Sequence, residues 1–594
     1  MRTAITDVRP PGIYTETTEK RFTPIRVGRT GVVGFVGLAE RGPTNQPVKI
    51  TSVPQFYEVF GDLPEGGFLA PAVEAFFKNG GRECRVVRVA HHTGRSFGEF
   101  ASSAAVRLLD RAGLPTLEVR AASEGLWGNQ IVLSVRLQQP PRAQTILTLD
   151  APEGATEATI RSTHGFRPGT LIKLSDGLVD EYRLLIDVEG KTVRWADERP
   201  LAHSFSMSAP TYVETVEFEL NVSCPFARER FSDLSMDPAS PAFCERVLAD
   251  RSRLVRVRSL QSPSPAPANY PADASEIKLT GGLDGLHNVT PDDFIGMSEG
   301  PTERTGLAVL ELVEDVDLLA IPDLMWLFRR NANKEGMPFS TLSDVQVVQD
   351  AMISQCERLN DRFAILDSPF PESADRTREY RLLFDTRFAA LYFPWIVTTY
   401  KGQRLTLPPS GHIAGIFARC DEAMGVHRAP ANEVLEGADD LSVLLKDEDV
   451  GYLNAEGINC IKSQSTRGLR VWGARAMSSD PQFRFLNVRR VLNAINRAMN
   501  HSLQWVVFEP NLPSLWKTIT RNVNQFLMEL WSRGWFCGDT PEEAFFVKCD
   551  EETNPPEVRD AGLLIVEVGV APIRPAEFLT LRVAQEMQEH SVTP

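Results

Sequence analysis

The chain has 594 residues, 42% of them hydrophobic, with 63 basic against 78 acidic side chains and a formal net charge of −15. That length predicts about two to four domains with real cores, and an acidic isoelectric point near 5.3 argues against nucleic acid as the main partner. No window approaches 18 uninterrupted apolar residues and Met1-Arg2-Thr3 opens no signal peptide, so neither membrane insertion nor Sec export is expected.

In chain order, Gly28, Gly31, Gly34 and Gly37 recur every third residue through a strand-like run at 30–39. A dinucleotide fingerprint needs Gly-x-Gly-x-x-Gly between a strand and a helix, so close backbone packing inside a sheet is the better account. Residues 56–63, 73–79 and 84–89, with Gly80-Gly81 before the last, complete a strand, helix, strand pattern. From about 97 to 270 the character changes. The alternation of Ile131, Leu133, Val135 and Leu137 predicts a strand. Residues 145–211 then hold short apolar runs divided by Pro168-Gly169, Asp176-Gly177 and Glu189-Gly190, predicting an inserted all-β module of barrel or sandwich type. A second alternating run at 213–222 returns to the parent domain, and 262–271 reads as a Pro-, Ser- and Ala-rich linker.

Strands are expected at 307–311, 318–321, 363–366 and 388–395, with helices at 344–359 and 413–424. Such alternation implies a sheet covered on both faces. Between Lys462 and Arg497 the basic residues outnumber a lone carboxylate, Asp480. A helix at 485–502 would carry Val488, Leu492, Ile495 and Met499 on one face, and Arg489, Asn493, Asn496, Arg497 and Asn500 on the other. After a strand-like 503–508, Asn511 and Pro513 start a second helix with a buried face of Leu515, Ile519, Val523, Phe526, Leu527 and Leu530, ending at Gly534. Lys517 and Arg521 lie one turn apart on its polar side. Residues 563–570 and 577–583 read as terminal extended runs, the latter placing Phe578 and Thr580 on one side and Leu579, Leu581 and Val583 on the other.

No phosphate loop, His-Glu-x-x-His or Gly-x-Ser-x-Gly motif occurs. His91-His92 is a poor chelate, because neighbours on a strand face opposite ways. Ser410-Gly411-His412 is expected to be a turn, and Asp439-Asp440 and Asp447-Glu448-Asp449 exposed carboxylates. The 8 cysteines, Cys84, Cys224, Cys356 and Cys460 among them, lie far apart and predict reduced thiols in a cytoplasmic product. No catalytic residue, cofactor or metal site is assigned.

The succession of basic helix, Trp-containing strand, Asn-Leu-Pro-led helix, Gly-Trp-Phe-Cys-Gly turn, acidic 549–554 loop, terminal strand and Pro-rich arm resembles the C-terminal domain of contractile tail sheath proteins. Gly457-Ile458-Asn459 and Trp472-Gly473-Ala474-Arg475 are similar to the segment that opens that domain. Pro11-Gly12-Ile13-Tyr14 resembles the sheath arm, Glu40-Arg41-Gly42-Pro43 the turn after the first core strand, and residues 279–285 a loop re-entering the core.

The resemblance implies a mixed α/β and α+β multidomain protein. Its parts would be an extended arm at 1–25, a core segment at 26–96, an inserted outer region at 97–275, an α/β domain at 276–456, a C-terminal domain at 457–570 and an arm at 571–594. It further implies a structural subunit of a phage-tail-like injection machine, assembled in the cytoplasm as part of a virion tail or released particle. The subunits would form stacked hexameric rings around an inner tube, with baseplate and cap proteins as further partners. Ile13, Tyr14 and Thr15 in one arm and Phe578, Thr580 and Leu581 in the other would pair with neighbouring subunits, while Arg489, Arg490, Arg497, Lys517 and Arg521 would meet the tube. The alternatives from the residues alone are a hydrolase-like α/β enzyme at 300–430 and a surface-binding adhesin at the 145–211 insertion.

Overall fold

The computed structural model describes residues 24–63, 66–92, 100–298, 300, 303–370, 373–464 and 466–577. The described residues fall in two compact units, one of residues 24–30, 424–429 and 485–577, the other of the remainder.

The larger unit is built on an eight-stranded sheet in the order Val48–Ile50, Cys84–Arg88, Val33–Gly37, Leu318–Ala320, Phe363–Asp367, Ala389–Phe393, Ile458–Gln464 and Gly468–Trp472. Its inner strands pair parallel, and the first and last pairs are antiparallel. Strands buried on both faces read as continuous apolar runs, and Val33–Gly37, Phe363–Asp367 and Ala389–Phe393 are buried throughout. The strand Ile458–Gln464, expected to open the C-terminal domain, is instead part of this sheet. It pairs with Ala389–Phe393, and the compact C-terminal unit begins only at Phe485.

Two carboxylates bracket the strand Val33–Gly37. Asp317 accepts the amides of Gly31 (3.0 Å) and Val32 (2.7 Å) at its start. Asp323 accepts those of Leu38 (2.7 Å), Phe68 (2.5 Å) and Leu69 (3.1 Å), joining the end of the strand to the start of the helix Leu69–Lys78. Burial pushes the Asp323 carboxyl up to about 6 despite those three donors. The helix Ser410–Met424 crosses Leu69–Lys78 closely. A Cβ at Gly411 would stand 2.5 Å from the Ala72 carbonyl, and one at Gly415 2.5 Å from that of Phe76.

Some expected elements differ. Residues 307–311 form part of a 3-10 helix, Gly306–Leu312, whose first five residues are buried. Ser410-Gly411-His412 is the first turn of the helix Ser410–Met424, not a loop turn. The 213–222 run is two strands, Tyr212–Val216 and Phe218–Cys224, which belong to different sheets.

That division separates two nested β modules. The outer one packs the four-stranded sheet containing Val132–Leu137 and Phe218–Cys224 against the three-stranded sheet Val255–Ser259, Pro115–Ala121 and Ala105–Leu109, around Leu133, Val119, Leu220 and Val255. Within it is inserted a six-stranded sheet running from Gln144–Ile146 to Tyr212–Val216. This sheet closes on itself. The Thr148 amide donates to Thr159 (2.8 Å) and the Arg161 amide to Ile146 (3.0 Å), joining the edge strands Gln144–Ile146 and Glu157–Thr159 into a small barrel filled by Ile172, Leu174, Leu185, Trp195 and Phe205.

The chain enters and leaves the barrel side by side, where the Gln138 amide donates to the Glu217 carbonyl (2.9 Å). Glu217 pairs with Arg142 at 2.8 Å, yet burial dominates and pushes its carboxyl up to about 7. Asp233 adds to the rise, while Arg142, Thr215 and Arg167 oppose it.

Two measurements follow from these buried acids. Asp323→Ala leaves three amides without their acceptor, so urea unfolding should show a loss of at least about 3 kcal/mol, at roughly 1–3 kcal/mol per orphaned group. A loss within error of zero would mean that water replaces the carboxylate. Because the folded value of Glu217 lies above its ordinary 4.5, its stabilising contribution is full below about pH 4.5 and lost as pH rises through about 7. Glu217→Gln should therefore flatten the decline in melting temperature between about pH 5 and about pH 8. An unchanged slope would assign that decline to other groups.

Candidate assembly surface

The C-terminal unit is organised by two helices, Leu486–Ser502 and Pro513–Ser532. The second buries Trp516, Ile519, Val523, Phe526, Leu527 and Leu530, the spacing of one helical face. Trp516 replaces the expected Leu515 because its indole nitrogen donates to Asn511 Oδ1 (2.7 Å) just before the helix, which draws the ring inward. On the opposite face Lys517 and Arg521 are exposed, and neither has an ion-pair partner among the described residues. Gly534 closes the helix with φ +78°.

The first helix departs from its expected amphipathic division. Every residue from Leu486 to Val491 is buried, and Arg489 and Arg490 are only 4% and 3% exposed. Arg489 Nε donates to Asn493 Oδ1 (2.8 Å), one turn on and itself buried. The face read as an outward basic stripe is thus interior over its first two turns. Arg489 and Arg490 are removed from the surface set, Arg497 is half-buried, and Lys517 and Arg521 remain exposed. The physical reason is that buried guanidinium groups satisfied by hydrogen bonds give the same polar periodicity as solvated ones. Residues 503–508 form a 3-10 turn, Gln504–Val506, rather than a strand. Phe508 stands fully exposed beside it.

Beyond the helices, Phe545–Lys548 and Glu567–Val570 form a two-stranded antiparallel sheet. No further strand is bonded to either outer edge among the described residues. The chain leaving it is pinned. The Cys537 amide donates to Ala571 (2.8 Å) and the Ile573 amide to Trp535 (3.2 Å), so 571–573 runs beside 535–537. Asn487, 1% exposed, gives its amide protons to the carbonyls of Ile573 (3.0 Å) and His427 (2.8 Å), clamping that exit and the 424–429 segment to the first helix. Sequence reading missed Asn487, because a helical asparagine carries no signal of its distant partners. Ile13, Tyr14, Thr15, Phe578, Thr580 and Leu581 lie outside the described residues.

The groups weighed for chemistry are in structural positions. Ser410 and His412 are buried, and burial lowers the imidazole to about 4, so it holds no proton near neutrality. His91 Nδ1 is 2.8 Å from the half-buried Asp293, and the buried His91 ring stacks on Phe100. No group of His, Cys, Asp and Glu side chains fit to hold a metal occurs among the described residues.

The described residues thus form a parallel-sheet body with nested β modules and a helical unit whose two-stranded sheet has open outer edges. Residues 333–477 match the phage tail sheath protein central domain, and residues 478–586 the phage tail sheath C-terminal domain. The chain is 24% identical over 306 residues to the tail sheath protein of Escherichia phage P2, covering 49% of this chain and 70% of that one. It is 32% identical over 330 residues to the tail sheath protein of Burkholderia phage BcepMu, covering 52% and 65%. In fold it is similar to the contracted sheath of an extracellular contractile injection system, PVC (TM-score 0.52, 18% identity, 98% of this chain and 99% of that one). It is likewise similar to the contracted helical sheath of the anti-feeding prophage (TM-score 0.52, 19% identity, 98% and 100%).

Over residues 333–586 the chain belongs to the contractile tail sheath family. It is a structural sheath subunit of a contractile phage-tail-like particle and not an enzyme.

Proposed function

We propose that this subunit polymerises into stacked hexameric rings around an inner tube, linked by strands exchanged through its terminal arms, and that the cylinder shortens to drive the tube through a target envelope. The observation that carries the reading is the meeting of three features in one unit. Residues 24–30 and 571–577, from which the two arm sequences continue, both belong to the C-terminal unit. That unit also holds a two-stranded sheet with unpaired outer edges among the described residues. Such edges accept added strands, the main chain giving affinity and alternate side chains the register.

Each donated hydrogen bond nets only about 1 kcal/mol. Two arms per subunit repeat that term along the whole cylinder, so linked subunits rotate and slide without separating. The extended cylinder is then held by tube and baseplate contacts, and firing is a shift to the better-packed state. Lys517 and Arg521 are the residues of this chain offered to an acidic tube surface. Arg497, half-buried, stands beside that set rather than in it. The inserted 97–275 region takes the outer face of the cylinder. Assembly takes place in the cytoplasm, with baseplate and cap proteins closing the two ends.

Two variants test the scheme by electron microscopy. Deletion of residues 1–19 should leave folded subunits that build no long cylinders, and normal cylinders from that variant would end the strand-exchange reading. Lys517→Glu with Arg521→Glu should reduce tube-guided extended assembly several-fold while contracted cylinders still form. Equal loss of both forms would move these residues from tube contact to folding.

A further inference from the structure

The chain's path through the parallel sheet reverses between the neighbouring strands Val33–Gly37 and Leu318–Ala320. From the first it crosses to Cys84–Arg88 on one side, and from the second to Phe363–Asp367 on the other. Open α/β sheets take ligands in the crevice outside the carboxyl ends of two such strands, often with an anion on the amides of a helix N-terminus. Here the amides of Phe68 and Leu69, at the start of the helix Leu69–Lys78, are already taken by Asp323. An anion from outside would need side chains to hold it.

A cleft of about 600 Å³ borders that point, with Gly67 and Phe68 in its wall. Its volume lies well within the ~300–1,000 Å³ typical of ligand sites. Among the described residues its lining carries four cations, Arg329, Arg330, Lys401 and Arg404, and one carboxylate, Asp62, in a chain whose net charge is −15. Two of the four are oriented by aromatic rings. Arg329 lies over Phe370 (4.7 Å to the ring centroid) and Arg330 over Trp326 (5.0 Å), with Arg330 Nη2 also 2.9 Å from His287 Nδ1. Arg329 is exposed and has no ion-pair partner among the described residues. Lys401 pairs with Asp62, and Arg404 reaches Asp440 (3.2 Å), but their side chains are 56% and 73% exposed and so within reach of a ligand. Exposed pairs of this kind contribute little, so a multivalent anion can exchange for them.

The cations come from two elements, the helix Asp323–Asn331 and the hairpin of Ile396–Tyr400 and Gln403–Leu407. A ligand that meets both needs anionic oxygens on more than one centre. Guanidinium groups laid flat on rings present their N–H edges in the fork geometry that suits phosphate oxygens. We propose that this cleft binds a small multivalent phosphate, a di- or triphosphate group, between Arg329 and Arg330 on the helix and Lys401 and Arg404 on the hairpin. The place is an analogy of fold, and the four accessible cations carry the assignment. Such a ligand would tie the hairpin to the helix, a property separate from assembly.

The test is isothermal titration calorimetry on the full chain in magnesium-free buffer, with pyrophosphate, tripolyphosphate and ATP as probes and citrate as a control of similar charge. Pyrophosphate or tripolyphosphate should bind once per subunit with a dissociation constant on the order of 10–100 μM, weakening as salt rises. ATP binding of equal strength would make the phosphate end of a nucleotide an equal source, and weaker ATP binding would favour free polyphosphate. Arg329→Ala and, separately, Arg404→Ala should each weaken binding at least about fivefold. Both side chains are exposed, so the melting temperature without ligand should stay that of the parent chain. Saturable binding by no phosphate, binding unchanged in either folded variant, or citrate binding as tightly overturns the proposal.

Discussion

Everything in the larger unit depends on the placing of the strand Val33–Gly37, and two acidic side chains place it. Asp317 and Asp323 stand just before and just after the strand Leu318–Ala320 and take up the amides at both ends of its parallel neighbour. A parallel pair has no hairpin to set its register, so such clamps do what a turn does in an antiparallel pair. Asp323 goes further, because the amides of Phe68 and Leu69 tie the first turn of a covering helix to the same carboxylate. The close approach requires glycine. A Cβ on Gly37 would lie 2.6 Å from Asp323 Oδ2, and one on Gly34 2.7 Å from Leu310. At Gly31 the demand is conformational as well, with φ +78°.

Those glycines show both the reach and the limit of the sequence. Their three-residue spacing inside an apolar run was enough to predict tight packing in a sheet instead of a nucleotide loop. It could not name Asp323, 286 residues from Gly37 along the chain, as the group that demands the space. The helices Leu342–Leu359, Leu486–Ser502 and Pro513–Ser532 were legible because a 3.6-residue period survives over many turns. The barrel was legible because turn residues punctuate short apolar runs at regular intervals. Residues 307–311 were misread because the apolar run Leu307 to Leu310 is too short to show a period, so a buried 3-10 turn and a buried strand look alike. The place of the strand Ile458–Gln464 in this sheet was not read from the sequence at all. Its partner, Ala389–Phe393, lies far back in the chain, and nothing local to 458–464 names that partner.

The candidate assembly surface was half visible for a related physical reason. Arginine on a helix marks a polar requirement, not its solvent exposure. Lys517 and Arg521 sit opposite a six-residue apolar face and are exposed as that geometry demands. Arg489 and Arg490 belong to a helix covered all round in its first two turns, where Asn493 serves a buried guanidinium in place of water. Asn487 does comparable work for the main chain, holding Ile573 to the first helix.

The nested β modules raise the question of how a sheath subunit carries so much inserted chain. In both cases the two ends of the insertion are already hydrogen-bonded neighbours. The Ser102 and Leu283 amides donate to each other's carbonyls (2.9 and 3.0 Å) where the outer module begins and ends, and Gln138 meets Glu217 where the barrel does. An insertion between adjacent strands asks the parent fold for no new loop closure, and the entropy of the added chain is offset by its own core. The outer module has its own cluster around Val119, Leu133 and Leu220, and the barrel its own around Ile172, Leu174 and Trp195. Each layer can therefore change its surface without disturbing the register of the layer beneath.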